Sequence, residues 1–244
     1  MSMTLLENIS IILVRTKTPA NIGAVARCMM NTGLSRLVLV QPKDHLSEDA
    51  RKLAAGADRI LESAQVFQSL AEAVAGHNLV VGTSGQAGKR WKNVRTARDM
   101  AGHVAPLLGS NRTAIVFGRE VNGLEQQELA LCHELIAIPS HHDFPSLNLS
   151  HAVMIVAYEL FLASGAALAR QAPELAPAGE LETLYLRMQT TLARVGFLHS
   201  ENTEHMMQSL RQLFGRASLE SRDVRILQGI LTEVERNIQG AGKP

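Results

Sequence analysis

Short apolar runs rich in β-branched residues alternate with helical patterns along most of the chain, and this alternation is the feature that most constrains its fold. Such runs predict buried strands, and they occupy residues 10–14, 36–40, 78–81, 113–117 and 135–138. Strands that are separated by helices form a parallel sheet with helices on both faces. The sequence therefore predicts an α/β domain that extends to about residue 170.

Between these runs, apolar residues recur at helical spacing. Thr18 and Pro19 predict the start of a helix that continues through Met30, and Gly33 suits the position just past its end. Further helices are predicted near residues 48–55, 67–75, 96–108 and 126–132, and from about 149 onward.

The last of these helices overlaps an apolar stretch, 147–168, that is almost long enough to span a membrane. The stretch contains Asn148, His151 and Glu159, and no basic residue precedes it closely. We therefore predict a helix buried in a globular core and no membrane partner.

A segment with two prolines and a glycine follows this helix at 171–179 and predicts a linker. Beyond it, helical spacing at 181–195, 203–214 and 221–238 predicts a small three-helix unit, with Ser200 or Asn202 and Ser218 as candidate caps. The expected organisation is an α/β domain at 1–170, the linker, and a helical extension at 180–244.

A formal net charge of +1, with 46% hydrophobic and 19% charged residues, describes an ordinary globular protein and excludes a uniformly basic surface. Any nucleic-acid binding must therefore come from a local patch. Cys28 and Cys132 lie far apart and outside any C-x-x-C pair, which indicates a reducing compartment and disfavours zinc. The N-terminus lacks signal-peptide features, so we expect a cytoplasmic protein.

Polar and glycine-containing segments follow three of the predicted strands. They are 21–27 (NIGAVAR), 117–124 (FGREVNGL) and 138–150 (IPSHHDFPSLNLS). The crevice outside the carboxyl ends of strands is where open α/β sheets bind ligands. Three such segments are more than packing requires, and they predict a ligand site at this edge of the sheet.

Each segment also has a purely structural interpretation. Glu120 could cap a helix that starts near Leu124, and Ser150 could be an N-cap, although a cap requires neither Ser146 nor Asn148. The turn at 83–85 (TSG) is a weak signal alone, because such turns are common after strands. The G-x-G-x-x-G, Walker and G-x-S-x-G motifs are absent from the sequence.

Residues 89–98 form the densest basic run and contain the only tryptophan, Trp91. Cations and an aromatic ring suit RNA, although a solvated loop with an inward tryptophan is the competing interpretation. His141, His142 and Asp143 are adjacent on an irregular segment without further Cys or His partners, so we expect no metal.

Taken in order, the three polar segments resemble the three motifs of the SpoU branch of the SPOUT methyltransferases. The helical extension is similar to that of the bacterial tRNA 2′-O-methyltransferases that act on cytidine or uridine at position 32. This second similarity lies at residues 196–198, 206–207, 210–217 and 226–231.

The resemblance implies a fold that periodicity alone does not suggest, an α/β domain with a C-terminal trefoil knot, which is a rare exception to the usual connection rules. It also implies S-adenosylmethionine as the cofactor, tRNA as the partner, and a homodimer whose active site is shared across the interface. Modification of ribosomal RNA, or a non-catalytic RNA-binding SPOUT module, are the alternatives. An ordinary doubly wound nucleotide-dependent enzyme is disfavoured by the missing glycine motif.

The resemblance assigns site residues as well. The expected cofactor-binding residues are Thr83, Ser84, Gly85, Gly118, Ile138, Ser146, Leu147 and Asn148. The expected catalytic group comprises Arg27, which would face the ribose 2′-hydroxyl, and the orienting residues Asn21, Glu120, Ser146 and Asn148. The expected RNA-binding residues are Arg119 and four residues of the basic run, whose composition and not the resemblance suggests this role, namely Lys89, Arg90, Trp91 and Lys92.

Two questions stay open at this level. Arg27 is either a general base in a strongly perturbed site or a stabiliser of the developing oxyanion, since a guanidinium normally stays protonated. The helical extension either binds tRNA, through Arg211, Arg216, Arg222 and Arg225, or only packs the dimer.

Overall fold

A seven-stranded parallel sheet forms the centre of the computed structural model, which describes residues 5–85, 94–165 and 174–241, with side chains to residue 238. The strands are β1 (Ile9–Val14), β2 (Arg36–Val40), β3 (Gln65–Phe67), β4 (Leu79–Thr83), β5 (Val94–Arg95), β6 (Thr113–Phe117) and β7 (Glu134–Ile136). Their order across the sheet is β3-β2-β1-β6-β4-β7-β5, and every neighbouring pair is parallel. The predicted α/β class and its five strands are confirmed.

Helices cover the sheet and continue beyond it. They are α1 (Pro19–Asn31), α2 (Glu48–Ala54), α3 (Asp58–Glu62), α4 (Leu70–Val74), α5 (Ala97–Val104), α6 (Gln126–Leu129), α7 (Leu149–Ser164), α8 (Ala178–Arg194), α9 (Thr203–Ala217) and α10 (Ser221–Ala241). Short 3-10 helices lie at Leu5–Asn8 and Ala105–Leu107. Within the described ranges, no helix combines the length and apolarity that crossing a membrane requires.

Several predicted boundaries were wrong. The helix predicted at 67–75 begins only at Leu70, because Gln65–Phe67 is an edge strand paired with β2. Three residues are too few to show a strand period. Ser218, predicted to start a helix, instead ends α9 in the left-handed conformation, with φ of 50°. The cap of α7 is Asn148 rather than Ser150.

The two faces of the sheet bury separate apolar layers. Ile9, Ile11 and Leu13 of β1 pack into the layer that includes residues of α1, α5 and α7. Ile12 and Val14 point to the opposite layer, which includes residues of α4. Because successive side chains of a strand alternate between faces, a run that is apolar at every position is buried on both sides.

The register brings the carboxyl ends of the central strands to one edge. Leu13 of β1 lies beside Phe117 of β6, and Thr83 of β4 lies beside Ile136 of β7. The segments that follow these strands must therefore meet. The implied trefoil knot stays a prediction.

The helices α8–α10 bury an apolar cluster of their own, which includes Leu184, Tyr185 and Leu231. They join the α/β part near the amino end of β4, where the backbone NH of Gly179 donates to the carbonyl of Ala75 at 3.1 Å. The three-helix extension is therefore present. The boundaries 1–170, 171–179 and 180–244 stay predictions, and residues 171–173 of the linker lie outside the described residues.

Candidate functional site

The segments that follow β4, β6 and β7 enclose a pocket of about 810 Å³ at the carboxyl edge of the sheet. This volume lies in the range of small-molecule sites. Of the expected cofactor-binding residues, all but Asn148 line it, namely Thr83, Ser84, Gly85, Gly118, Ile138, Ser146 and Leu147. Glu120 lines it too, whereas Asn21, Arg27 and Asn148 lie outside its wall.

The wall contributed by residues 118–124 is a tightly closed loop. Asn122 and Gly123 both have positive φ, 71° and 62°, and Arg119 forms an isolated antiparallel bridge with Gly123. A Cβ on Gly118 would lie 2.1 Å from the carbonyl carbon of Gly123. Only glycine at 118 permits this approach, and the closed loop presents backbone to the pocket.

Glu120 reaches from this loop to the start of α1. Its Oε1 accepts hydrogen bonds from the backbone NH of Thr18 and from Nδ2 of Asn21, both at 3.1 Å, and its Oε2 accepts from the NH of Lys17 at 3.2 Å. Burial would raise the pKa of this carboxyl, but its own backbone NH and these three donors outweigh burial and lower the pKa below its usual value.

Glu120 therefore does not cap a helix that starts near Leu124, as the structural interpretation of the sequence held. The next helix, α6, starts at Gln126 and is capped by Glu125. Glu120 instead places its negative charge at the amino end of α1, where helix backbone NH groups favour an anion.

Asn148 connects the third segment to the first. Its Nδ2 donates to Oδ1 of Asn21 at 3.1 Å, and its Oδ1 accepts from the backbone NH of Ser150 at 2.9 Å and from Ser150 Oγ at 2.7 Å. Since Asn21 in turn donates to Glu120, one hydrogen-bonded chain runs through all three predicted segments. The structure thus brings Asn21, Glu120 and Asn148 together.

Arg27 lies further along α1, and its side chain is exposed. Among the residues that the structure describes, we find no hydrogen bond or ion pair to its guanidinium. The adjacent Cys28 donates through Sγ to the carbonyl of Ser150 at 3.6 Å, so this part of α1 lies against the start of α7. Burial raises the pKa of the Cys28 thiol and outweighs the lowering effect of Arg27.

Arg119 is the one expected RNA-binding residue within the described ranges, because Lys89, Arg90, Trp91 and Lys92 lie outside them. Its side chain is only 11% exposed, and its guanidinium bonds Glu128, at 2.9 and 3.2 Å. A guanidinium paired in this way is poorly placed to bind phosphate. Arg119 therefore has a partner inside the protein, and the expected RNA contact stays a prediction.

His141, His142 and Asp143 lie on the exposed turn between β7 and α7, and their candidate ligand atoms are all within 4.8 Å of one another. Asp143 pairs with His142 Nδ1 at 2.8 Å and lies 3.8 Å from His141 Nδ1. Water competes for exposed pairs of this kind, which contribute little. The expectation that the protein uses no metal stays a prediction.

Sequence reasoning missed part of the pocket. The lining residues that it did not name include Asn122, Gln126 and Leu129. The latter two belong to α6, which follows the 118–124 loop, and no local pattern relates that helix to a ligand. Among these residues, only Asn122 could have been found from the sequence, because an Asn-Gly pair favours positive φ and so indicates a tight turn in this segment.

The profile of the SpoU rRNA Methylase family matches residues 8–158, and that of the tRNA methyltransferase TrmJ C-terminal domain matches residues 179–243. The tRNA (cytidine/uridine/adenosine-2′-O-)-methyltransferase TrmJ of Pseudomonas aeruginosa strain UCBPP-PA14 is 39% identical over 249 residues, with 97% of each chain covered.

Solved structures show the same similarity. The crystal structure of TrmJ from Z. mobilis ZM4 is 34% identical, with a TM-score of 0.78 over 93% of this chain and 98% of that one. The AdoMet complex of the SpoU methyltransferase AviRb from Streptomyces viridochromogenes is 20% identical, with a TM-score of 0.51 over 64% of this chain and 60% of that one, and shares the fold.

Proposed function

Because the chain belongs to the SpoU rRNA Methylase family and its tail matches the TrmJ C-terminal domain, we propose that it methylates a ribose 2′-hydroxyl of tRNA, with S-adenosylmethionine as the methyl donor. The observation that carries the proposal is that two of the three motifs line one pocket and that the third, through Asn21, is hydrogen-bonded to both of them. The substrate nucleotide is cytidine or uridine at position 32, in a tRNA of the cytoplasm.

The residues of the pocket fit this cofactor. Its volume of about 810 Å³ suits a nucleoside with an amino-acid tail. Backbone groups at 83–85, 118 and 146–147 supply donors and acceptors for the adenine and ribose, and the apolar side chains of Leu129, Ile136 and Ile138 supply contact for the ring. When bound, S-adenosylmethionine supplies an electrophilic methyl group on a sulfonium.

The chain must supply a positioned hydroxyl and a place for its charge. A ribose 2′-hydroxyl is a poor nucleophile, and its proton passes to solvent water as the methyl group is transferred to the oxygen. Glu120 is a weak base for that proton, because three donors from other residues already occupy its oxygens and its pKa is lowered. Its task is to hold Asn21 and the start of α1.

Arg27 stabilises the negative charge that develops on the 2′-oxygen. Its guanidinium is exposed and without a carboxylate partner among the described residues, so its charge is available to a ligand. A guanidinium stays protonated under nearly all conditions, and stabilisation of an oxyanion needs the protonated form. A general base, in contrast, would have to be deprotonated before it could accept the proton of the hydroxyl. Ser146, in the pocket wall, and Asn148 orient the hydroxyl and the cofactor.

The active unit is a homodimer. The face of α7 that points away from the core exposes large apolar side chains, at Ile155 (38%), Tyr158 (49%), Phe161 (46%) and Leu162 (51%). Exposed apolar groups that lie together are typical of an interface. A second copy at this face would cover the middle and the end of α7. The start of the same helix lies against α1 at Cys28, next to Arg27, so we expect the site to be shared between subunits.

The helical extension, 180–244, adds tRNA affinity. Arg211 is unavailable for this, because it pairs with Glu182 and lies 4.5 Å above the ring of Tyr185. Arg216, Arg222 and Arg225 are exposed. Replacing all three by glutamine should weaken tRNA binding and lower the slope of log Kd against log salt concentration by about 1 per lost phosphate contact.

A filter-binding series between low and high salt measures this slope. The matched control replaces Arg236, which pairs with Glu233 on the surface of α10. If the triple variant showed the same salt slope as the unsubstituted chain, the helical extension would serve only in packing.

The main test is methyl transfer from labelled S-adenosylmethionine to unmodified tRNA. Arg27→Ala should lower turnover by about a hundredfold or more, since it removes a group that acts on developing charge. Arg27→Lys should retain only part of the wild-type turnover, because lysine keeps the positive charge but lacks the planar set of donors of a guanidinium. Arg112→Gln is the control, because Arg112 is exposed at the amino end of β6, away from the pocket.

Mapping the 2′-O-methyl group identifies the nucleotide. Wild-type turnover in Arg27→Ala would contradict the assigned role of that residue, and methylation of ribosomal RNA alone would contradict the substrate. RNA binding without any affinity for S-adenosylhomocysteine would indicate a non-catalytic module.

A further inference from the structure

The guanidinium of Arg119 joins both ends of the 118–124 loop to the helix that follows. Nη1 donates to the carbonyl of Gly123 at 3.1 Å and to Oε2 of Glu128 at 3.2 Å, and Nη2 donates to Oε1 of Glu128 at 2.9 Å. Glu125 Oε1 lies 3.3 Å from Nη1 as well. A two-pronged arginine–carboxylate pair is among the strong and geometrically specific hydrogen-bonded contacts.

Glu128 performs a second task in the same cluster. Its Oε2 accepts the backbone NH of Glu125 at 2.7 Å, which completes the capping box at the start of α6. Its side chain is only 12% exposed. The pair therefore connects residue 119, at the start of the loop, to the first turn of α6, which begins just after the loop ends.

The loop needs such a support. Asn122 holds a positive φ of 71° without being glycine, a conformation that few residues adopt. The loop also closes on Gly118 at a backbone distance that leaves no room for a Cβ. A loop in this shape persists only where its surroundings hold it, and Arg119 is the side chain that bonds across it, at Gly123.

The first residue of α6 continues the connection. Gln126 lines the pocket, and its Nε2 donates to Oε1 of Gln208 on α9 at 3.3 Å. The pocket wall is therefore stabilised by the contacts of Arg119 within the loop and α6, and it is also contacted by α9 of the helical extension.

We propose that Arg119 is a positioning residue, which holds the 118–124 loop and the start of α6 in the shape that binds the cofactor, and that it makes no direct contact with RNA. The proposal rests on the proposed function for the identity of the ligand. Its geometric basis is independent of that function, because every contact named here lies within the chain.

The experiment compares Arg119→Gln, Arg119→Lys and the control Arg112→Gln, which removes the same charge from an exposed position at the opposite end of β6. Calorimetry with S-adenosylhomocysteine should show about tenfold to a hundredfold weaker binding for Arg119→Gln, because the wall is displaced from the ligand. The affinity of Arg119→Lys should lie between those of Arg119→Gln and the unsubstituted chain, since lysine keeps the charge but cannot form the two-pronged pair.

Kinetics and RNA binding separate positioning from RNA contact. For Arg119→Gln, the KM for S-adenosylmethionine should rise more than the KM for tRNA, and the salt slope of tRNA binding should not change. A slope lowered by about 1, with unchanged binding of S-adenosylhomocysteine, would make Arg119 a phosphate contact and overturn the proposal.

Glu128→Gln keeps the proposal testable if the arginine variants fold poorly, because it weakens the same pair from the other side. It should reproduce the loss of S-adenosylhomocysteine affinity, and the double variant should lose less than the two single losses combined, as expected for residues in contact. Additive losses would show that the two residues act separately and would overturn the proposal.

Hydrogen exchange of the ligand-free chain tests the loop itself. Backbone amides at 118–124 should exchange faster in Arg119→Gln than in the control, and equal rates would overturn the proposal. If the unsubstituted chain bound no S-adenosylhomocysteine, the proposed function would fall, while this measurement would still decide the role of Arg119.

Discussion

At the scale of single residues, the site depends on matched hydrogen-bond partners more than on net charge. Glu120 keeps a carboxylate beside the pocket because Thr18, Asn21 and Lys17 supply its donors. Asn148 uses one side-chain atom to receive Ser150 and the other to reach Asn21. An amide can serve two such partners because it is a donor and an acceptor at once. This explains why asparagines stand at 21 and 148.

The same scale predicts that Gly118 cannot carry a side chain. In Gly118→Ala the new Cβ would lie 2.1 Å from the carbonyl carbon of Gly123. Relief requires moving the loop, so the free energy of unfolding should fall by about 1–3 kcal/mol, with weaker binding of S-adenosylhomocysteine. Denaturant titration and calorimetry measure the two effects.

Gly85 is the matched control, since it also lines the pocket, but no atom of the described residues lies within 4 Å of the place where its added Cβ would lie. Gly85→Ala should leave the free energy of unfolding within about 0.5 kcal/mol. Equal loss in both variants would show that the close approach at Gly118 is unimportant.

At the scale of elements, two glycines in the helices of the extension have different environments. In α9, the buried Gly215 lies against the backbone of His133, just before β7. In α10, Gly229 is exposed, and a Cβ added to it would have no atom of the described part of the chain within 4 Å. One glycine permits close docking of two elements, whereas the other only weakens its helix.

These two glycines predict opposite effects of the same substitution. Gly229→Ala should raise the free energy of unfolding by about 0.5–1 kcal/mol, the gain in helix propensity. Gly215→Ala should lower it, because its Cβ would lie 2.9 Å from the carbonyl oxygen of His133. Thermal denaturation of both variants measures the difference, and a loss of stability in Gly229→Ala would contradict the exposed position of Gly229 in α10.

At the scale of the whole molecule, the pocket lies at the carboxyl edge of the sheet, whereas the extension joins the sheet near the amino end of β4 and also contacts α6 beside the pocket. Two half-buried histidines lie near the amino end of β4. His77, just before β4, bonds Ser10 Oγ through Nε2 at 2.9 Å, and His133 Nδ1 accepts the backbone NH of Val80 at 3.2 Å. Burial, chiefly, lowers the pKa of both imidazoles to about 4.

The lowered pKa values predict acid sensitivity. Between about pH 6.5 and 4 the unfolded chain binds protons at these histidines and the folded chain does not, so stability falls as the pH falls through this window. The loss should be about 3 kcal/mol for each histidine at pH 4, because its pKa falls from 6.5 to about 4 on folding. Denaturant titration at a series of pH values measures it.

His133→Asn should remove its share of this dependence, because the amide oxygen can still accept from Val80 while carrying no titratable proton. An unchanged slope between about pH 6.5 and 4 in this variant would mean that His133 is protonated in the folded chain. The rest of the slope should then be lost only when His77 is replaced as well.

Periodicity along the chain determined the α/β class, five of the seven strands and the three-helix extension, because the period of apolar residues reports which face of an element is buried. It also indicated a ligand site after the strands, since parallel strands end at a common edge. The two missed strands, Gln65–Phe67 and Val94–Arg95, are too short to show any period.

Only the tertiary structure decided how the site residues pair. Glu120 bonds Asn21 across 99 positions of sequence, and Asn148 bonds Asn21 across 127. Arg119, which was expected to bind RNA, pairs with Glu128 inside the protein. Side-chain type states what a residue can bond, but the partner depends on strand order and register, which distant parts of the chain set together.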